Sequence, residues 1–251
     1  MDYRKRFYSK YLSIKENSAD GSMLSGSPAQ SNSIWDGYFK RHLPLDKDAV
    51  ILEIGCGDGS FIDYLNSKGY CNCAGVDISE EQITEGVNRG VNGLVQVDLI
   101  QFLQEEVAGK YDMIIARDVL EHFKKQEIIN VLDLIHACLK SNGRFLAQAP
   151  NGESLFAGRL VYGDFTHQTC FTQASLVQIL KVSNFQKIRC FATGPVPHGV
   201  KSFLRYIAWK GIEWFSRVYM LIETGSTKGI FTENIIFVAT KVESEASCHA
   251  C

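Results

Sequence analysis

The stretch that most constrains this chain is Ile51-Leu52-Glu53-Ile54-Gly55-Cys56-Gly57-Asp58-Gly59-Ser60-Phe61. The apolar run that begins at Ala49 and stops at glycine has the composition of a buried parallel strand, apolar on both faces. Three glycines at alternate positions follow, so the backbone can turn tightly and approach a ligand that a Cβ would push away. Phe61, Ile62 and Leu65 then recur at helical spacing. Strand, glycine loop and helix N-terminus in this order make a place to hold a polar small molecule.

The same alternation continues downstream. Cys73 to Asp77 reads as a second strand, and Ser79 followed by Gln82 as a capping box that starts the next helix. Gly93 to Val97 is a third strand ending in Asp98, and Tyr111 to Ala116 a fourth ending in Arg117-Asp118. Gln126 to Leu139 has helical apolar spacing, and Asn142-Gly143 turns the chain into a fifth strand, Arg144 to Ala149. A helix over Thr172 to Val182 precedes two further strand-like runs, Gln186 to Thr193 and Asn234 to Lys241. Strands alternating with helices predict a parallel sheet with helices on both faces. With 251 residues, 45% apolar and 22% charged, the chain can bury one good-sized core. In such a sheet the carboxyl ends of neighbouring strands open on one crevice, so the glycine loop, Asp77 and Asp98 converge there.

Details around the loop select the ligand. A dinucleotide site has G-x-G-x-x-G/A, whereas here the third small position is Ser60 and the glycines run G-x-G-x-G. Glu53, two residues before the first glycine, is awkward for a pyrophosphate and suits a cationic ligand. Asp77 lies about one βα unit beyond the loop, where a carboxylate can accept from ribose hydroxyls. The alternative for Asp77 and Asp98 is that they merely cap helices. The sequence E-I-G-C-G-D-G resembles the first motif of class I S-adenosylmethionine-dependent methyltransferases. Tyr111 to Phe123 resembles the D-x-I-x-x-x-x-V-L-E-H pattern of the quinone and small-molecule branch of that family.

The resemblance implies a Rossmann-like, seven-stranded, mostly parallel sheet whose last strand runs antiparallel between the fifth and sixth. It implies S-adenosyl-L-methionine as cofactor, with Gly55, Gly57 and Gly59 at its methionine end, Asp77 at the ribose, and Asp98 with Leu99 at the adenine. Glu53, Ile78 and Arg117 are counted in the same site. The N/D-P-P-Y/F tetrad of amino-methylating DNA enzymes is replaced by Asp118-Val119-Leu120-Glu121, so base methylation is not expected. Some quinone and small-RNA methyltransferases bind a divalent ion with E-x-x-E-H. This chain has Asp118, Glu121 and His122 there, and no metal is assigned, the alternative being that Glu121 and His122 bond locally.

The acceptor is sought in the insertions. Pro150-Asn151-Gly152 leads through Leu155 to Tyr162 into Gly163-Asp164-Phe165-Thr166-His167-Gln168, a polar and aromatic loop at the mouth of the crevice. This segment resembles methyltransferases among bacterial surface-polysaccharide and sugar-modifying enzymes. Asp164 and His167 are a candidate carboxylate–histidine pair, the acid orienting the ring and the ring taking a proton from the acceptor hydroxyl. His122 is the rival base, and a plain structural turn is the alternative. The expected reaction is O-methylation of a sugar or similar small or lipid-linked molecule. Quinone or phenolic acceptors remain within the enzyme class, and a non-catalytic S-adenosylmethionine-binding regulator outside it.

Gly199 to Thr224 reads as one or two amphipathic helices carrying Trp209 and Trp214 among basic residues, forming a lid, a dimer contact or a peripheral membrane contact through 200–222. Gly225 to Gly229 is a flexible link without the G-K-S/T ending of a phosphate loop. A net charge of −2 gives no basic footprint for nucleic acid. The start lacks the apolar run of a signal peptide and no stretch is long and apolar enough to span a bilayer, so a cytoplasmic chain, at most peripheral at the inner membrane face, is expected. The eight cysteines read as reduced thiols, with no zinc expected at Cys248-His249-Ala250-Cys251. Residues 1–45 form an N-terminal segment: a helix carrying Tyr3, Phe7, Tyr8 and Tyr11, a mobile linker from Ser18 to Ser33, and a short helix from Ile34 to Leu43. The catalytic domain spans 46–241, with lid-like insertions at about 151–172 and 195–232, and 242–251 is a disordered tail. The sequence leaves the oligomeric state open.

Overall fold

The computed structural model describes residues 3–8, 10 and 28–242. Two short N-terminal helices, α1 (Tyr3–Tyr8) and α2 (Pro28–Tyr38), precede an alternation of strands and helices. This runs β1 (Ile51–Ile54), α3 (Ser60–Ser67), β2 (Cys73–Asp77), α4 (Glu80–Asn88), β3 (Leu94–Gln96), α5 (Leu99–Glu105) and β4 (Tyr111–Arg117). It continues through α6 (Lys125–Cys138), β5 (Leu139–Pro150), α7 (Ala157–Gly163), α8 (Gln173–Val182), β6 (Gln186–Ala192), α9 (Val200–Thr224) and β7 (Asn234–Thr240). The strands form one sheet in the order β3-β2-β1-β4-β5-β7-β6. The first five are parallel, and β7 lies antiparallel between β5 and β6, as the family resemblance implied.

The sheet is buried on both faces, which is why its central strands read as unbroken apolar runs. Leu52, Ile54, Ile114, Phe145 and Phe237 point to one face, against Val131, Leu132 and Ile135 of α6 and Leu176 and Leu180 of α8. Ile51, Met113, Ile115, Leu146 and Ile236 point to the other, against Phe61, Ile62 and Leu65 of α3 and Phe39. By the two-residue period of a strand, Glu53 and Arg117 fall on this second face, one on each side of the β1/β4 junction where the strand order reverses.

Several boundaries differ from the sequence reading. The third strand is trimmed to Leu94–Gln96, and β5 begins at Leu139, with the expected turn forming an irregularity where Asn142 adopts φ +60°. The segment from Pro28 to Ser33 is not linker but the first half of α2. Proline is tolerated at a first helical position because its missing N–H has no intrahelical partner there. Tertiary contacts anchor the rest of α2. Trp35 packs edge-on against Phe61, Asp36 pairs with Lys68 at 2.8 Å, and Tyr38 Oη donates to the Gly194 carbonyl. Tyr11, the remainder of the expected linker and the terminal Cys248–Cys251 lie outside the described residues. The stretch after Gly199 is one helix of 25 residues, and no described helix is long and apolar enough to cross a membrane.

Candidate functional site

The glycine loop between β1 and α3 is left-handed at Gly55, Gly57 and Gly59, with φ of +65°, +57° and +72°. At Gly55 a Cβ would also stand 2.3 Å from Val119 Cγ2, so both conformation and space demand glycine. The loop is laced to β2 by Asp77, whose Oδ2 accepts from Gly57 N at 2.9 Å and whose Oδ1 accepts from Ser79 N at 2.8 Å. Burial raises the Asp77 pKa, and the N–H groups of Ser79, Gly57 and Ile78 oppose that rise. Ser79 caps α4, as the sequence predicts. Asp98 caps α5, its Oδ1 accepting from Ile100 N and Gln101 N, while Leu99 packs half-buried against the core.

Glu53 is wholly buried, and its Oε1 accepts from Arg117 Nε at 2.7 Å. The Arg117 guanidinium lies over the Phe61 ring, 4.4 Å from its centroid. Burial pushes the Glu53 carboxyl up to about 7 despite the attraction of Arg117. Glu53 Oε2 is buried with no hydrogen-bond partner. An unpaired acidic oxygen beside a backbone cradle that rejects a Cβ fits the cationic, amino-bearing methionine end of S-adenosylmethionine.

A second cluster lies past the end of β4. Asp118 adopts a left-handed φ of +55°, strained for a residue with a side chain, and Gln148 Nε2 of β5 donates to both its carboxylate oxygens. The next turn carries Glu121 and His122. The loop that carries Asp164 and His167 is pinned to that turn because Gln168 N and Thr169 N both donate to the Glu121 carbonyl, at 2.7 and 3.0 Å, and Thr169 Oγ1 donates to the Phe123 carbonyl. This brings His167 beside His122, ring centroids 4.9 Å apart.

The expected orientation of His167 by Asp164 is not what the structure shows. The Leu160 carbonyl accepts from His167 Nδ1 at 2.9 Å, so the ring's lone pair resides on Nε2. Asp164 Oδ1 accepts instead from the backbone and hydroxyl of Thr166, an Asx turn that D-x-T spells out. The Thr166 hydroxyl, its proton committed to Asp164, accepts from His122 Nδ1 at 2.9 Å. His122 therefore also carries its lone pair on Nε2. Burial raises the Asp164 pKa, but its two bonds from Thr166 and the nearby imidazoles outweigh this and hold it below the ordinary value.

Glu121 is buried, and neither carboxylate oxygen has a hydrogen-bond partner. Burial, then the charge of Asp118, drives its pKa well above the ordinary value. Glu121, His122 and His167 offer ligand atoms within 4.8 Å of one another. An orphaned carboxylate beside two imidazole lone pairs fits a divalent ion. The set differs from the one the motif pointed to, because Asp118 is occupied by Gln148 and His167 stands in. Over the cluster, Phe7 of α1 stacks on Phe165 at 5.6 Å and Tyr8 meets the His122 ring edge-on at 6.0 Å.

A seven-stranded sheet with this topology, a glycine cradle at β1 and a buried acid with one unpartnered oxygen beside it define a class I S-adenosylmethionine-dependent methyltransferase. A family model described as a methyltransferase domain matches residues 30–189, well over half of the chain, and the chain belongs to that family. Its cofactor is S-adenosylmethionine. Among curated proteins, the 18S rRNA (guanine(1575)-N(7))-methyltransferase of Saccharomyces cerevisiae is 27% identical over 115 residues, 42% of each chain. The alignment thus spans less than half of that relative. Among solved structures, an S-adenosylmethionine-dependent methyltransferase from Archaeoglobus fulgidus superposes with a TM-score of 0.66 at 21% identity, covering 92% of this chain and 99% of the other. Phosphoethanolamine N-methyltransferase 2 of Haemonchus contortus, bound to phosphomonomethylethanolamine and S-adenosylhomocysteine, gives 0.62 at 17% identity, covering 86% and 54%. At these identities the likeness is one of fold.

Proposed function

We propose that this methyltransferase acts on a hydroxyl oxygen of a sugar or similar small or lipid-linked acceptor, with His167 as the base. S-adenosylmethionine supplies a methyl group on a positively charged sulfur. The glycine loop and Glu53 hold its methionine end, Asp77 its ribose, and the Asp98-Leu99 corner its adenine. Transfer of that methyl to the acceptor oxygen would leave S-adenosylhomocysteine, and His167 Nε2 takes the proton of the acceptor hydroxyl. The observation that carries this reading is the pair of adjacent imidazoles, each with Nδ1 engaged and its lone pair on Nε2. His122 is the second proton acceptor within reach. The exposed aromatic rings of Tyr162 and Phe165, on the same segment as His167, suit the apolar face of a sugar or phenol. A small acceptor is favoured over nucleic acid because the net charge of −2 supplies little attraction for a phosphate backbone.

The test is transfer of labelled methyl to sugar-containing extracts. His167→Gln should lower turnover by about 10²–10⁴-fold while calorimetric binding of S-adenosylhomocysteine is retained. Full turnover in that variant overturns the base assignment, and binding without transfer to any extract favours the regulator. A second reading is favoured by the orphaned Glu121 carboxylate. A divalent ion held by Glu121, His122 and His167 would lower the pKa of the acceptor hydroxyl. Calorimetric titration of the chelator-treated protein with Mg²⁺ or Mn²⁺ decides this. Binding abolished by Glu121→Gln supports the metal, and no heat with either ion removes it.

A further inference from the structure

Helix α9 leaves a broad apolar stripe exposed to solvent. The side turned to the protein repeats at 202, 206, 209, 213, 216 and 220, with Ser202 and Ser216 buried and Tyr206, Trp209, Glu213 and Met220 half-buried. The opposite side carries Leu204, Ile207, Trp214, Phe215, Leu221 and Ile222, between 49% and 81% exposed. At about 100° per residue these six fall within an arc of about 120° that contains no acidic residue. A surface helix normally turns a stripe of that width inward to the core.

Cations line both edges of the arc. Lys201 and Arg205 lie along one side, with the exposed Glu223 about five turns beyond Arg205 on the same side, and Lys210 and Arg217 lie along the other. Glu213 is drawn inward and bridged by Lys210 and Arg217, each at 2.8 Å, so this acid and both cations are engaged on the protein side. An apolar, tryptophan-bearing face with Lys201 and Arg205 along one side matches the boundary of a bilayer, where the rings enter the acyl region and the cations reach back to phosphates.

We propose that the outer face of α9 docks in the plane of an anionic lipid surface. This rests on α9 alone and not on the identity of the methyl acceptor. The experiment is flotation of the full chain with vesicles of phosphatidylcholine, with and without phosphatidylglycerol. The expected result is binding to the anionic vesicles that salt weakens and that the double variant Ile207→Glu/Trp214→Glu weakens about tenfold or more. Helical content and S-adenosylhomocysteine binding should be unchanged in that variant. The charge-reversed pair Lys201→Glu/Arg205→Glu should lose the preference for anionic lipid while folding normally. Failure to float with either vesicle, or equal binding to both, overturns the proposal. So does a dimer in light scattering that the Ile207→Glu/Trp214→Glu variant converts to monomer.

Discussion

Replacing Glu53 by Gln measures which of two opposed effects sets the charge of the buried acid. Burial between sheet and α3 favours the neutral carboxyl, while Arg117 at 2.7 Å favours the carboxylate. Burial wins, moving the pKa from the ordinary 4.5 to about 7. Between those two values the folded protein holds a proton that the unfolded chain has released. Stability therefore falls as pH rises through that window and levels off above about 7. At about 1.4 kcal/mol per pH unit the integrated loss is about 3 kcal/mol. Glu53→Gln has no group to titrate there but keeps an oxygen that can accept from Arg117. Its stability relative to the native chain should therefore rise by about 3 kcal/mol between pH 4 and pH 8, whatever constant offset comes from losing the ion pair. Urea unfolding followed by tryptophan fluorescence, run on both proteins without cofactor at intervals across that range, gives the difference directly, and groups common to both cancel. A difference that stays flat to within about 0.5 kcal/mol refutes the reasoning, for it would mean that Arg117 keeps Glu53 ionised throughout.

Gly55→Ala combines a left-handed backbone with a Cβ 2.3 Å from Val119 and should lose about 2–5 kcal/mol together with S-adenosylhomocysteine binding. Gly69→Ala, equally left-handed but with nothing within 4 Å of its Cβ, should lose about 1–2 kcal/mol and bind normally. Equal losses at the two positions would discount the contact with Val119. Thr166→Val removes the hydroxyl that joins His122 to Asp164 in a nearly fully buried position, and should destabilise by about 1–3 kcal/mol in urea unfolding. Unchanged stability would show that the hydroxyl does not hold the two side chains together.

The glycine loop, the alternation of strands and helices and the capping of α4 were legible because their signals are local: a glycine run, an apolar period, a hydroxyl three residues before an amide. Local signals also misled. The Ser-rich composition before Ser33 suggested linker, yet Pro28 starts a helix that Trp35 and Asp36 fasten to α3. Asp164 and His167 looked like a pair at a spacing of three, but the backbone turns so that Thr166, two residues on, takes the carboxylate. The contacts that make the second cluster are long-range. Glu53 meets Arg117 across 64 positions because β1 and β4 are neighbours in the sheet, and Thr166 meets His122 across 44 because the loop amides bond the Glu121 carbonyl.

By itself, then, the sequence determined the strand–loop–helix cradle, the α/β class and the family resemblance, because each rests on residues close enough along the chain to share one turn or one strand. Tertiary structure alone decided which ring nitrogens of His122 and His167 are engaged, which acid is left unpaired and which side of α9 is turned to solvent. Those depend on strand order and on loops closing over tens of residues, and neither periodicity nor composition encodes them.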